Sequence, residues 1–144
     1  MPRRSPALIF IHVVWATSRR RPVLPRSLDD QLLNLLAYKA REKRCMLLAG
    51  GCAPDHVHAV VRLASSVSLG ALVMHLKGSS AYELHRKQLL PRQVFWQDGY
   101  WAESLGPHDL EPILRYVRGQ RLHHDLSHPA ECWQAGDSPP AGGL

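Results

Sequence analysis

Two short segments hold side chains whose types and spacing could act on a phosphate. The first is Asp55-His56-Val57-His58. On a β-strand, successive side chains alternate between faces, so His56 and His58 would share one face and Val57 the other. Two adjacent imidazoles can chelate one metal ion. Two surface histidines on a half-exposed strand give the same pattern, and for an isolated pair that is the commoner origin. The second segment is Tyr116-Val117-Arg118-Gly119-Gln120. Residues four apart share a helix face, so Tyr116 and Gln120 would point the same way. A phenol oxygen can attack phosphorus and an amide oxygen can ligate a metal. A tyrosine packed at the edge of the Ile113–Val117 stripe would leave the same trace. Gly119 costs a helix interior about 1 kcal/mol relative to alanine, so it marks an early helix end or a loosened segment.

The surrounding pattern supplies elements to hold these residues. Residues 7–16, ALIFIHVVWA, are rich in β-branched and aromatic side chains and predict a buried strand. A basic loop with two prolines follows. Ser27 with Asp30 makes a capping box for a helix whose stripe is Leu28, Leu32, Leu35 and Leu36, running to about residue 43. Residues 45–52 and 56–63 predict two more strands, joined by Ala53-Pro54-Asp55, short enough for an antiparallel pair. Ser68 can cap a second helix with Leu69, Leu72, Val73, Leu76 and Leu84 buried. Residues 94–97 and 100–103 flank Asp98-Gly99 and predict a hairpin closed by a type I′ turn. A third helix is expected from about His108, with Pro112 tolerable only in its first turn. The order strand, helix, strand, strand, helix, hairpin, helix fits an α+β, ferredoxin-like (RRM-like) antiparallel sheet with helices on one face, followed by a C-terminal helix carrying Tyr116.

Composition narrows the partners. At 144 residues the chain is sized for one domain with its own core. The formal net charge of +6 favours an anionic partner, of which nucleic acid is the commonest. Cys45, Cys52 and Cys132 form no CxxC pair and leave an odd thiol, which argues against a secreted disulfide framework and for a reducing cytoplasm. Their spacing to His56 and His58 matches no standard zinc knuckle. The apolar run at 7–16 is interrupted by His12 and is too short to span a membrane. The segment GDSPPAGGL that follows Ala135 predicts a disordered tail, taken as 133–144.

In combination, HVVWATSRRRPVL, APDHVHAVV, HLKGSSAYELHR, FWQDGYWAES and LRYVRGQRLHH resemble the HUH-type single-tyrosine transposases, the small bacterial insertion-sequence and REP-associated group. The resemblance runs from about His12 to His124 and takes residues 1–132 as a single transposase domain. It implies that His56, His58 and Gln120 hold Mg²⁺ or Mn²⁺. It implies that Tyr116 attacks the scissile phosphate, forming a 5′-phosphotyrosine link and freeing a 3′-hydroxyl. The implied partners are single-stranded DNA bearing hairpins and a second copy in a homodimer, with no membrane and no nucleotide cofactor. The implied location is the bacterial cytoplasm, at the nucleoid in action. Arg19, Arg20, Arg21, Lys77, Arg86, Arg115, Arg118 and Arg121 are candidate phosphate contacts. Trp96, Tyr100 and Trp101 could stack on unpaired bases, or pack onto the core. Asp55 and His12 are conceivable proton acceptors for Tyr116, against the blander readings of a turn-forming aspartate and a core-edge histidine.

Three other functions compete. A domesticated relative would process REP hairpins without moving itself. A histidine-triad hydrolase needs a third alternating histidine, and Ala59-Val60 follows His58 instead. A non-catalytic ferredoxin-like nucleic-acid-binding module would explain the charge and the aromatics but leave His56, His58, Tyr116 and Gln120 as a coincidence.

Overall fold

The computed structural model describes residues 7–91 and 95–121. The expectations for Val94, Cys132 and the tail at 133–144, and the part of the resemblance beyond residue 121, lie outside the described residues. Four strands, β1 (Phe10–Ala16), β2 (Met46–Cys52), β3 (His56–Arg62) and β4 (Trp101–Leu105), alternate with helices α1 (Asp29–Glu42), α2 (Leu69–Arg86) and α3 (Pro107–Arg118). The sheet order is β2-β3-β1-β4 and each neighbouring pair is antiparallel. This is the ferredoxin-like order, with α3 added after the last strand.

Alternation along the two central strands divides the sheet into two faces. Ile11, Val13 and Trp15 lie opposite Val61, Ala59 and Val57. These residues pack with Leu28, Leu32, Leu36 and Ala40 and with Leu72, Val73, Leu76 and Leu84 in one core under α1 and α2. The other face of the same strands presents His12, Val14 and Ala16 and, across from them, Val60, His58 and His56. On that side α3 covers the sheet, its Leu114 and Val117 meeting Ala49 and Val60.

A register shift between Leu47 and Ala49 inserts one residue into β2. Its consequence is local and specific. Gly51, rather than Gly50, becomes the cross-strand partner of His58.

Several local expectations give way to tertiary contacts. Ser27 caps nothing: a 3₁₀ turn at Arg26–Leu28 leads directly into α1. Ser68 does cap α2, its Oγ accepting from the Ala71 N–H at 3.1 Å. Pro107, not His108, opens α3, so Pro112 falls in the second turn. There it removes one backbone donor, that of residue 112, from the helix ladder. The Asp98-Gly99 hairpin does not form. Trp96 bridges Thr17 and β4 pairs with β1, so the two flanking segments both join the first strand's line rather than each other. Gly99 has φ 83° but Asp98 is not left-handed, and a type I′ turn needs both. Lys77 Nζ donates to the carbonyls of Gln97 and Gly99, each at 2.8 Å, and so captures the loop for α2. Burial holds the Lys77 ammonium below its ordinary range, against the pull of Asp98.

Trp96 anchors this loop in the core. Its ring meets the Trp15 ring edge-on at 6.0 Å and its Nε1 donates to Ser80 Oγ at 2.9 Å. Removing that acceptor would strand a buried N–H. We expect Ser80→Ala to destabilise the protein by about 1–3 kcal/mol, read as a lowered urea midpoint at unchanged slope.

Candidate active site

His56 and His58 lie on the same face of β3, beneath α3. Their ring centroids are 5.0 Å apart. His56 is 7% exposed and His58 fully buried. Each ring is oriented through its Nδ1. His56 Nδ1 lies 2.7 Å from Asp55 Oδ1, and His58 Nδ1 lies 2.9 Å from His12 Nε2. With Nδ1 so engaged, Nε2 is the nitrogen each ring would offer a cation.

Asp55 is itself fixed. Arg20 Nε donates to Asp55 Oδ2 at 3.0 Å, and Arg20 Nη2 lies 3.3 Å from His56 Nδ1. Burial alone would raise the Asp55 carboxyl, but the His56 hydrogen bond and the Arg20 charge outweigh it and hold the carboxyl below its ordinary range. Arg19 and Arg20 have φ of 55° and 50°, left-handed values that cost a non-glycine residue about 1–3 kcal/mol each. Thr17 holds the turn, its N–H donating to Asp55 O at 2.9 Å and its hydroxyl to Arg21 O at 2.8 Å.

Helix α3 brings the other two residues. The Tyr116 ring stands edge-on to His58, centroids 5.7 Å apart. Gly119 ends the helix, its N–H reaching the carbonyls of both Arg115 and Tyr116 at 3.2 Å. Gln120 follows, 1% exposed, with Nε2 donating to Tyr116 O at 3.3 Å. Its Oε1 is buried and accepts no hydrogen bond among the described residues.

Gly51 makes this docking possible. A Cβ there would lie 1.9 Å from the Val117 carbonyl oxygen and 3.0 Å from Gln120 Cγ. The helix backbone therefore rests directly on the strand residue paired with His58. Sequence reading passed over Gly51, although paired glycines inside an apolar strand signal a close backbone approach.

The model of the family described as "Transposase IS200 like" matches residues 7–120. The chain belongs to the IS200-like transposase family. It is 24% identical over 127 residues to the transposases for insertion sequence element IS200 of Salmonella typhimurium strain LT2 and of Salmonella typhi, covering 82% of this chain and 83% of each. A candidate transposase from Deinococcus radiodurans R1 has a similar crystal structure, with a TM-score of 0.64 and 26% identity over 84% of this chain and 97% of that one. A REP-associated tyrosine transposase bound to a REP hairpin shares the fold at a TM-score of 0.55, with 15% identity over 81% of this chain and 70% of that one.

For an IS200-like transposase the donor set suits a divalent cation. Two imidazoles with secured Nδ1 atoms and one buried amide oxygen lacking a donor are neutral ligands of the type such ions accept. Cys52 pairs with Val57 on the opposite face of the sheet, in the core under α1, and burial pushes its thiol up to about 12. It is not part of this site. Nor do any three His, Cys, Asp or Glu side chains gather as a metal cluster among the described residues.

Of the other predicted contacts, Arg20 pairs with Asp55 and Lys77 with loop carbonyls, while Arg86 is exposed and meets Glu83 at 2.9 Å on the helix surface. Arg121 binds both carboxylate oxygens of Asp29, at 3.1 and 2.7 Å, and ties the end of α3 to the start of α1. Trp96 and Trp101 are buried, and Trp101 packs edge-on against His12 at 5.2 Å. Tyr100 is half-buried against the main core. Arg19, Arg21, Arg115 and Arg118 are exposed.

Gly51→Ala should lift α3 from the sheet, because the Val117 carbonyl is backbone and no rotamer change relieves the clash. We expect it to cost about 1–3 kcal/mol, with α3 more open to amide exchange. Gly50→Ala should be far milder, since its Cβ clashes only with the flexible end of the Leu33 side chain and meets the His58 carbonyl at an ordinary 3.6 Å. Thermal melts and hydrogen exchange across residues 107–121 check both.

Proposed function

We propose that this family member is a metal-dependent single-strand DNA transposase that cleaves and rejoins through a 5′-phosphotyrosine, with the whole chemical centre in one chain. The observation that carries the reading is the edge-on contact of Tyr116 with His58 at 5.7 Å within a single polypeptide. In it, His56, His58 and Gln120 hold Mg²⁺ or Mn²⁺. When bound, the ion supplies charge stabilisation and polarises the scissile phosphate.

The chain's own residues do the rest. Tyr116 Oη attacks phosphorus in line, the P–O3′ bond breaks, and the departing oxygen takes a proton to become a 3′-hydroxyl. A 3′-hydroxyl from another end then attacks the phosphotyrosine, restoring a phosphodiester and the tyrosine phenol. One phosphoester replaces another at each step, so no nucleotide cofactor is consumed. Asp55 and Arg20 hold the His56 ring during both steps, and the Gln120 amide is held by the Tyr116 carbonyl.

The substrate we infer is single-stranded DNA with a hairpin, by analogy with the REP-associated tyrosine transposase bound to a REP hairpin. Arg19, Arg21 and Arg118, which are exposed, suit phosphate contacts. A homodimer, which the resemblance implies, would then bring two complete centres together rather than build one between subunits.

Labelled single strands from the flanking DNA, incubated with the protein and Mn²⁺ or Mg²⁺, should give a covalent adduct on denaturing gels. The adduct should vanish in Tyr116→Phe and on chelation. Gln120→Ala should slow it about 10–100-fold. Mixing Tyr116→Phe with His56→Ala should restore nothing. Recovery of adduct in the mixture would show that the tyrosine serves its partner's histidines, and no adduct from wild type on any hairpin strand would sink the enzymatic reading.

A further inference from the structure

His12 is a fully buried polar residue in the middle of the central strand, flanked by Val60 and Glu103. Burying an imidazole there costs free energy unless it makes a directed contact. One such contact is with the site. His12 Nε2 lies 2.9 Å from His58 Nδ1, the two rings meet edge to edge with centroids 5.1 Å apart and planes 25° apart, and Trp101 packs against His12 at 5.2 Å.

We propose that His12 is a positioning residue that fixes the tautomer and ring angle of His58, so that His58 presents Nε2 to the metal. The inference rests on the metal-site reading above. Only one hydrogen can lie between the two facing nitrogens. For His58 to coordinate through Nε2, its Nδ1 carries that hydrogen and donates it to His12 Nε2, which puts the His12 hydrogen on Nδ1. Neighbours on both sides hold His12 in place: Trp101 limits its ring rotation, and β1 is hydrogen-bonded to β3 and β4. The two metal-facing histidines are thus supported differently. His56 leans on an anion, Asp55 with its arginine, whereas His58 leans on a second imidazole. A ring locked by a neighbour on the central strand keeps its angle when α3 or the turn at Asp55 shifts.

The test uses the full chain and two variants. His12→Gln keeps a polar group near the place of Nε2, while His12→Phe keeps a ring and removes the acceptor. Melting curves establish that each is folded. Ring ¹⁵N shifts of His58 in the metal-free protein report its tautomer, and titration with Mn²⁺ alone reports affinity. The expected result is an Nδ1–H tautomer for wild-type His58. His12→Phe should mix the tautomers and weaken Mn²⁺ binding about 10–100-fold, and His12→Gln should bind close to wild type. A wild-type His58 protonated on Nε2 would overturn the proposal, as would unchanged Mn²⁺ affinity in a folded His12→Phe. Absence of Mn²⁺ binding by wild type would count against the metal reading itself, while the tautomer would still decide the part assigned to His12.

Discussion

Helix α3 lies against the sheet with its backbone, not its side chains, making the closest approach. The Val117 carbonyl occupies the space that a Cβ at position 51 would fill. Side-chain packing can adjust by rotamer, but a carbonyl resting on a strand cannot, and well-packed interiors transmit such a constraint rigidly. The part of the candidate site that α3 brings follows from it. Leu114 and Val117 can reach Ala49 and Val60, the Tyr116 ring can stand beside His58, and Gln120 can be buried against the strand that pairs with the histidines. The bulge in β2 belongs to the same constraint, since a regular ladder would put Gly50 opposite His58 and turn Gly51 toward α1.

The sheet keeps its main apolar core and the candidate site on opposite sides. Ile11, Val13, Trp15, Val57, Ala59 and Val61 join the apolar core under α1 and α2. Their sequence neighbours His12, His56 and His58 face α3 and are held by hydrogen bonds and ring contacts instead. Because alternation alone separates the two sets, a change of site residue need not open a cavity in the main core. Polar groups on the α3 side carry a desolvation cost, and the hydrogen bonds from Asp55 and between the histidines offset it.

Much of this was legible without coordinates. The β-branched run around His12, the leucine stripes and the Ser68 cap are local signals that agree with the global fold, and the His56–Val57–His58 alternation put both imidazoles on one face. What misled was local propensity overruled at a distance. Asp98-Gly99 reads as a hairpin until Lys77, on the preceding helix, takes the loop carbonyls for α2. A sequence also does not say which cations meet a carboxylate, as Arg20 meets Asp55 and Arg121 meets Asp29 across the fold. His12 was weighed as a bland core-edge histidine, since its pairing with His58 spans 46 residues and depends on strand order.

The distribution of charge carries the last step. A net charge of +6 says only that cations exceed anions. In the fold, the turn at 17–21 sorts three consecutive arginines by backbone conformation. Arg20 turns to Asp55 and the His56 ring, and its neighbours Arg19 and Arg21 remain exposed. The left-handed geometry that makes this sorting possible is held by Thr17, which is bonded both to Asp55 and to Arg21. A phosphate bound by Arg19 or Arg21 would therefore sit on the same short support that sets the angle of His56. Phosphate binding there and the angle of His56 would then share one mechanical element, so tightening the turn would serve both at once.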